Sequence, residues 1–128
     1  MVKKPKKQSK AKRMSRSKKE ADRVWSLAVR ERDGNQCQVR GCDATSRVFA
    51  HHIFSRRHLA TRWDLDNGFT ICWGHHKKGH TDHEWLRDEI IAKIGEDKFR
   101  HLKYRSGLIT VDLLEEDLMR IIEGLKGG

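Results

Sequence analysis

Histidines and cysteines between residues 37 and 80 have the types and spacing of metal ligands. Four of them form a C-x4-C and C-x2-H set, namely Cys37, Cys42, Cys72 and His75. Two close pairs of thiolate and imidazole ligands are typical of tetrahedral zinc. A core drawn from about 100 residues also gains stability from a metal that joins two segments. The pattern therefore predicts one structural zinc ion. The alternatives are three buried, reduced cysteines that pack as small apolar side chains, and His76 in place of His75 as the fourth ligand.

A second set of residues has the types needed for phosphodiester hydrolysis, namely His51, His52, Asn67, His76 and His80. A neutral imidazole can take a proton from water near pH 7, and a cation held by neighbouring ligands can neutralise charge developing at phosphorus. His76 and His80 are four residues apart and would share a helix face. Adjacent strand residues point to opposite faces, so we expect a bend or bulge at His51 and His52. The alternatives are a structural role for His52 and a turn role for Asn67.

The elements that must position these residues are a hairpin and several helices. The β-branched and aromatic residues in 47–54 and 69–72 predict two strands, and the histidine-rich segment after Gly74 is expected to be helical. Capping boxes followed by apolar residues at helical spacing predict three further helices. The capping pairs are Ser17–Glu20, Thr81–Glu84 and Asp112–Glu115. Phe99 and Leu102 indicate another helix over 96–105, and breaks are expected after Asp33, at Gly95 and at Ser106-Gly107.

The N-terminal segment carries the excess charge. Residues 1–19 contain ten lysines and arginines and no acid, which accounts for the formal net charge of +10. Like charges in such a run cannot bury enough apolar area to offset ordering entropy, so we expect 1–19 to be a disordered basic tail. Its expected partner is the phosphate backbone of a nucleic acid, and the alternative is a tail that only aids solubility. No apolar run reaches the length of a membrane span, so we expect no membrane partner.

The second set of residues resembles the motif of the HNH endonucleases, also called His-Me finger or ββα-metal nucleases. The resemblance rests on His52, Asn67 and His76, on His51 directly before the first, and on the flanking metal-knuckle pairs. It covers 37–80 and extends more loosely to the run VWSLAVRERDGNQCQVRGC, which is similar to HNH proteins of phages and prophages. It implies an α+β fold with a small zinc-stapled ββα-metal hairpin-and-helix core flanked by α-helices. The expected organisation is the tail 1–19, a nuclease domain 20–107 and a C-terminal helix 108–128.

The resemblance also implies roles. His52 would be the general base, His51 and His76 would bind one catalytic divalent ion with His80 as a further ligand, and Asn67 would brace the loop between the strands. Many members have Asp where this chain has His51, so Mg, Mn, Ni and Zn all remain candidates for the ion. The implied function is a DNA endonuclease that leaves 5′-phosphate and 3′-hydroxyl ends by nicking or double-strand cutting.

Basic residues around this motif are expected to contact DNA phosphates, namely Arg56, Arg57, Arg62, Lys77 and Lys78. The alternative for each is a solvated surface charge. The alternative functions are a non-catalytic, zinc-stapled nucleic-acid-binding module and a basic accessory protein that recruits a protein partner. We expect the protein in the cytoplasm of a bacterial host, encoded by a phage or prophage, with a homodimer or a phage protein as a further partner.

Overall fold

The fold combines five helices with one hairpin in the residues described. The computed structural model describes residues 9–109 and 112–127. The helices are α1 (Lys10–Arg32), α2 (Trp73–Thr81), α3 (His83–Ile94), α4 (Glu96–Ser106) and α5 (Glu115–Gly127). Strands β1 (Val48–His52) and β2 (Gly68–Cys72) pair antiparallel, and a 3-10 turn, Leu65–Asn67, leads into β2. The predicted α+β class is confirmed. None of the helices in these ranges is long and apolar enough to cross a membrane.

Helix α1 begins earlier than the sequence predicted. Ser9 is its N-cap and accepts a hydrogen bond from Lys12 N, whereas Ser17 lies inside the helix. Residues 10–19, which we expected to be disordered, are therefore helical, and residues 1–8 of the predicted tail lie outside the described residues. The physical reason is tertiary: Met14 packs against the core between α1 and α5, and Arg13 lies 3.7 Å from Glu115.

Two other predicted caps are also wrong by a few residues. The N-cap of α3 is Asp82, whose carboxylate accepts from Trp85 N, while Thr81 ends α2. Asp112 precedes α5 without capping it, and the backbone N–H at Leu114 is satisfied by Asp117 instead. The helices themselves are present where the apolar periodicity predicted them, because burial of an apolar face is a stronger determinant than any single cap.

The hairpin lies between two apolar clusters. On one side, Trp25 of α1 packs with Leu118 and Ile122 of α5, so the C-terminal helix is part of the core. On the other side, Phe69 and Ile71 of β2 pack with residues of α3 and α4. Full burial of one side chain such as Leu118 contributes about 1.5–3 kcal/mol. The two clusters therefore stabilise the hairpin from both faces, with α1 on one side and α3 on the other.

Gly68 allows α1 to approach the hairpin closely. A Cβ at this position would lie 2.3 Å from Cγ2 and 2.9 Å from Cγ1 of Val29, and 3.1 Å from Trp25. Gly68 is the cross-strand partner of His52. The absence of a side chain at Gly68 therefore sets how deeply α1 packs beside that histidine.

Candidate metal centre and histidine cleft

The four predicted zinc ligands converge on one point. The ligand atoms of Cys37, Cys42, Cys72 and His75 all lie within 4.8 Å of one another. His75 Nδ1 is 3.2 Å from Cys72 Sγ and 3.7 Å from Cys37 Sγ. Ligands on a tetrahedral zinc ion, with bonds of about 2.3 Å to sulfur and 2.0–2.1 Å to nitrogen, are separated by roughly 3.6–3.8 Å. The donor set and its spacing therefore fit zinc, and this group could hold a structural zinc ion.

The backbone brings the two ligand pairs together. Cys72 ends β2 and is the N-cap of α2, so His75 lies in the first turn of that helix. The first pair is attached to the same strand through a hydrogen bond from Gln38 N to Thr70 O of 2.9 Å. Burial raises the pKa of the Cys37 thiol to about 11. A cation is therefore needed to hold its thiolate at neutral pH, as a zinc ligand requires.

A cleft with a volume of about 330 Å³ lies beside this cluster. Its lining includes His51 from β1, His76 and His80 from α2, and His83 and Arg87 from α3. The ring centroids of His76 and His80 are 4.5 Å apart, as expected for a shared helix face, and those of His51 and His76 are 5.6 Å apart. The structure thus places the three predicted ligands of the catalytic ion at one cleft.

The three imidazoles do not converge on one point, unlike the ligand atoms of the Cys3His cluster. Among the residues described, only the Cys/His cluster has ligand atoms that converge as a metal site. Two imidazoles bound to one ion at 90–110° would have centroids roughly 4.5–5.2 Å apart, from metal–nitrogen distances of about 2.0–2.1 Å. His76 and His80 fit that range, and His51 is slightly farther away. Side-chain rotation of His51 toward His76 is therefore required for a three-histidine site.

Two histidines of the cleft, His51 and His76, have lowered pKa values. Burial, with smaller contributions from the charges of His76, His52 and His80, lowers the pKa of His51 to about 4. Burial and the charge of His80 also lower the pKa of His76. An imidazole binds a metal through an unprotonated nitrogen, so both side chains have a lone pair available at neutral pH.

His52 lies on the other face of the hairpin. Its ring stacks on Trp25 with centroids 3.9 Å apart and planes 10° apart, and Nε2 lies 2.9 Å from the carbonyl oxygen of Arg62. We expected a bend or bulge near His51 and His52. There is no bulge, because both residues pair one-to-one with β2, and the chain bends directly after them at residues 53–54. A carbonyl only accepts, so Nε2 carries the proton and Nδ1 keeps the lone pair. Burial lowers the pKa of His52, although the hydrogen bond to Arg62 opposes the shift.

Asn67 is fully buried and braces the loop between the strands. Its Oδ1 accepts from Phe54 N at 2.8 Å, and its Nδ2 donates to Phe54 O at 3.0 Å and to Thr61 O at 3.1 Å. Its backbone carbonyl accepts from Ile53 N. The loop-bracing hydrogen bonds expected of Asn67 are therefore present, and they involve more of the loop than a turn residue would.

The predicted phosphate-contact residues divide into two kinds. Arg62 is held in a bidentate ion pair by Asp22, with its side chain only 16% exposed, so its charge is neutralised within the fold. Arg62 therefore has less of its charge available for a DNA phosphate than the other four residues. The other four residues are exposed, and in the described ranges no carboxylate forms an ion pair with them; they are Arg56, Arg57, Lys77 and Lys78.

Sequence reasoning missed several residues at these sites. The sequence pattern indicated no role at these sites for Trp25, which stacks on His52 and donates from Nε1 to Asp64 O at 2.8 Å. Asp22 was not singled out, although it also accepts from Trp63 Nε1 at 2.8 Å. His83 is an exposed residue that also lines the cleft. The spacing of Asp22 three residues before Trp25 was the one available signal, since it places both side chains on one helix face.

No family model, curated protein or solved structure matches this chain. The class that the structure defines is therefore a coarse one, a mixed α+β chain with a Cys3His cluster that could bind zinc. Any finer assignment depends on the chemistry of the residues that line the cleft.

Proposed function

We propose that this protein is a metal-dependent DNA endonuclease of the HNH, or ββα-metal, type. The observation that carries the proposal is the meeting of His51, His76 and His80 at one cleft, on a hairpin and helix that also hold the Cys3His cluster. The order of elements, β1, β2 and α2, is the order that the ββα-metal resemblance implies. In this proposal, His51, His76 and His80 bind one divalent ion, and the Cys3His cluster binds the structural zinc.

The divalent ion would stabilise negative charge on the phosphate and on the leaving oxygen. His52 packs against α1 but adjoins His51 at the end of β1, so it would act as the general base on a phosphate bound at that end of the strand. It would act through Nδ1, since Nε2 donates to the Arg62 carbonyl. Nδ1 takes a proton from water while the water oxygen bonds to phosphorus. The bond between phosphorus and the 3′ oxygen breaks, and that oxygen takes a proton from solvent. The products are a 5′-phosphate and a 3′-hydroxyl.

Substrate binding would depend on charge. Arg56 and Arg57 lie exposed in the loop that Asn67 braces, and Lys77 and Lys78 lie exposed on α2. Phosphate contacts from lysine and arginine fix the register of a protein on DNA without reading its sequence. One cleft would cut one DNA strand at a time, so one molecule with one such cleft would nick one strand of a duplex.

One observation favours a second candidate, a non-catalytic, zinc-stapled nucleic-acid-binding module. His52 points toward α1 and is fully explained as a packed side chain with one hydrogen bond to Arg62. A binding module would keep the Cys3His cluster and the exposed basic residues. It would not need neutral histidines at a cleft, and this difference separates the two candidates.

Cleavage of supercoiled plasmid tests the proposal. We expect wild-type protein to produce open-circular DNA once Mg, Mn, Ni or Zn is added. His51→Ala and His76→Ala should abolish the conversion, and His52→Ala should slow it by about 10²–10⁴-fold, the usual contribution of a general base. His101→Ala is the matched control, because His101 is an exposed histidine on α4 and should leave the rate unchanged.

Removal of His52 also leaves a gap beside Trp25, so two further measurements separate chemistry from folding. Added imidazole should restore part of the activity of His52→Ala if the base is what was lost, and unchanged zinc content would show that the fold persists. If wild-type protein leaves the plasmid intact with every ion, the endonuclease proposal is wrong and the binding module is favoured.

A further inference from the structure

Two aromatic side chains are exposed next to the cleft. Phe49 of β1 is 44% exposed and Trp73, the first residue of α2, is 49% exposed. Their ring centroids are 6.2 Å apart with an angle of 68° between the planes, so the two rings form an open corner. Burying aromatic surface is favourable, and an exposed pair of this kind marks a surface that is covered by a ligand. We call Phe49 and Trp73 the aromatic corner.

The surroundings of the aromatic corner are basic. Lys77 Nζ lies 5.8 Å from the centroid of the Trp73 ring. Neither β1 nor α2 contains an acidic residue. A ligand with both a flat apolar ring and a negative charge fits this combination, and a nucleotide has both.

The aromatic corner is continuous with the proposed metal site. The ring centroid of His76 is 6.4 Å from that of Phe49 and 6.4 Å from that of Trp73, and His76 also contacts His51. If a base stacks on Trp73, the distance from the phosphate of that nucleotide to the proposed ion would be no more than the length of one nucleotide. Bases in a perfect duplex have no free face, so only an unpaired base can stack in this way.

We propose that the aromatic corner binds one unpaired nucleobase, and that the substrate is DNA with unpaired nucleotides beside the bond to be cut. The inference rests on the proposed function in taking DNA as the partner, and it adds the structural class of that DNA. Bulges, frayed ends and single strands present such a base, whereas a fully paired duplex does not. Base–aromatic stacking tolerates any base, so the preference is for unpaired structure over sequence.

The test compares three DNA ligands in a binding assay without added divalent ion. The ligands are a perfect duplex, the same duplex with one extra unpaired base, and the same duplex with an abasic nucleotide in place of that base. The abasic ligand keeps the bent backbone and lacks only the ring. We expect wild-type protein to bind the base bulge about tenfold more tightly than the abasic bulge, from a typical stacking contribution.

Variants test whether the preference for the base bulge over the abasic bulge depends on the aromatic corner. Trp73→Ala and Phe49→Ala should each reduce it, and Trp73→Phe should keep most of it because a flat ring remains. Tyr104→Ala is the matched control, since Tyr104 is an aromatic residue on α4 that is 69% exposed and does not line the cleft. Phe49 lies outside the Cys3His cluster, so its variant remains informative if Trp73→Ala disturbs that cluster.

The outcomes separate this inference from the proposed function. Equal affinity of wild-type protein for the base bulge and the abasic bulge would overturn the aromatic corner, even if plasmid is cleaved. A preference that survives in both alanine variants would overturn it as well. A base-bulge preference that depends on Trp73, in a protein that cleaves no plasmid, would support the aromatic corner and reject only the endonuclease.

Discussion

Substitution of Gly68 by alanine should separate α1 from the hairpin. The added Cβ would lie 2.3 Å and 2.9 Å from the two methyl groups of Val29, well inside the usual contact distance of about 3.5–4.0 Å between carbon atoms. Both partners are held by packed elements, because Val29 is fully buried in α1 and Gly68 is paired in the sheet. Overpacking of this kind costs about 1–3 kcal/mol, so Gly68→Ala should lower the free energy of unfolding by that amount.

The compensating change is Val29→Ala, which removes both methyl groups in the path of the new Cβ. Alone it should cost on the order of 2 kcal/mol through the cavity it leaves. In the double variant the cavity receives the Cβ, so the two costs should fall short of additivity by about 1–2 kcal/mol. Rescue stays incomplete, because Trp25 remains 3.1 Å from the added atom. Urea unfolding of the four proteins measures this, and strictly additive costs would refute the close approach of α1 at Gly68.

Three further predictions follow from the Cys3His cluster, the ion pair between the exposed Arg40 and the buried Glu89, and the basic N-terminus. Cys72→Ala should reduce bound zinc from one ion per chain to none, as measured by metal analysis. The same variant should lose several kcal/mol of stability, as measured by thermal unfolding. The hydrogen bond from Arg40 lowers the pKa of Glu89, so this pair stabilises the fold above the ordinary value of 4.5, and the stability is lost as pH falls through the folded pKa. The stability deficit of Glu89→Gln, about 1 kcal/mol at pH 7, should therefore vanish in acid, and a constant deficit would contradict the pair's role. Deletion of residues 2–8, which contain four lysines, should reduce the slope of log affinity for DNA against log salt by up to about 3.6, and an unchanged slope would exclude these lysines as phosphate contacts.

The Cys3His cluster and the hairpin could be predicted from the sequence because their information is local. Ligand type and spacing within each pair indicated the cluster, and β-favouring residues indicated both strands. Gly79 lowers the helix propensity of α2, the helix after Cys72. In the structure Gly79 is buried beneath α3, where a Cβ would lie 2.6 Å from Leu86 Cδ2. Its role is close packing, which no local pattern reveals.

The start of α1 and the state of Arg62 could not be predicted because their partners are distant in sequence. A lysine-rich segment looked disordered until Met14 and Arg13 were seen to contact the core and Glu115 of α5. Arg62 looked like a phosphate contact because its partner, Asp22, lies 40 residues earlier in the chain. In both cases the deciding interaction joins residues 40 or more positions apart, where residue spacing carries no signal.

Helix α2 serves two sites without any spacer between them. His75 faces the cysteines and His76 faces the cleft, although one peptide bond separates them. Successive helix residues are about 100° apart around the axis, so an insertion or deletion of one residue after His75 would rotate His76 and His80 away from His51. A change in the number of residues in this segment would therefore disrupt the cleft, whereas substitution of a single residue need not. Related chains should therefore keep the number of residues from Cys72 to His80 unchanged.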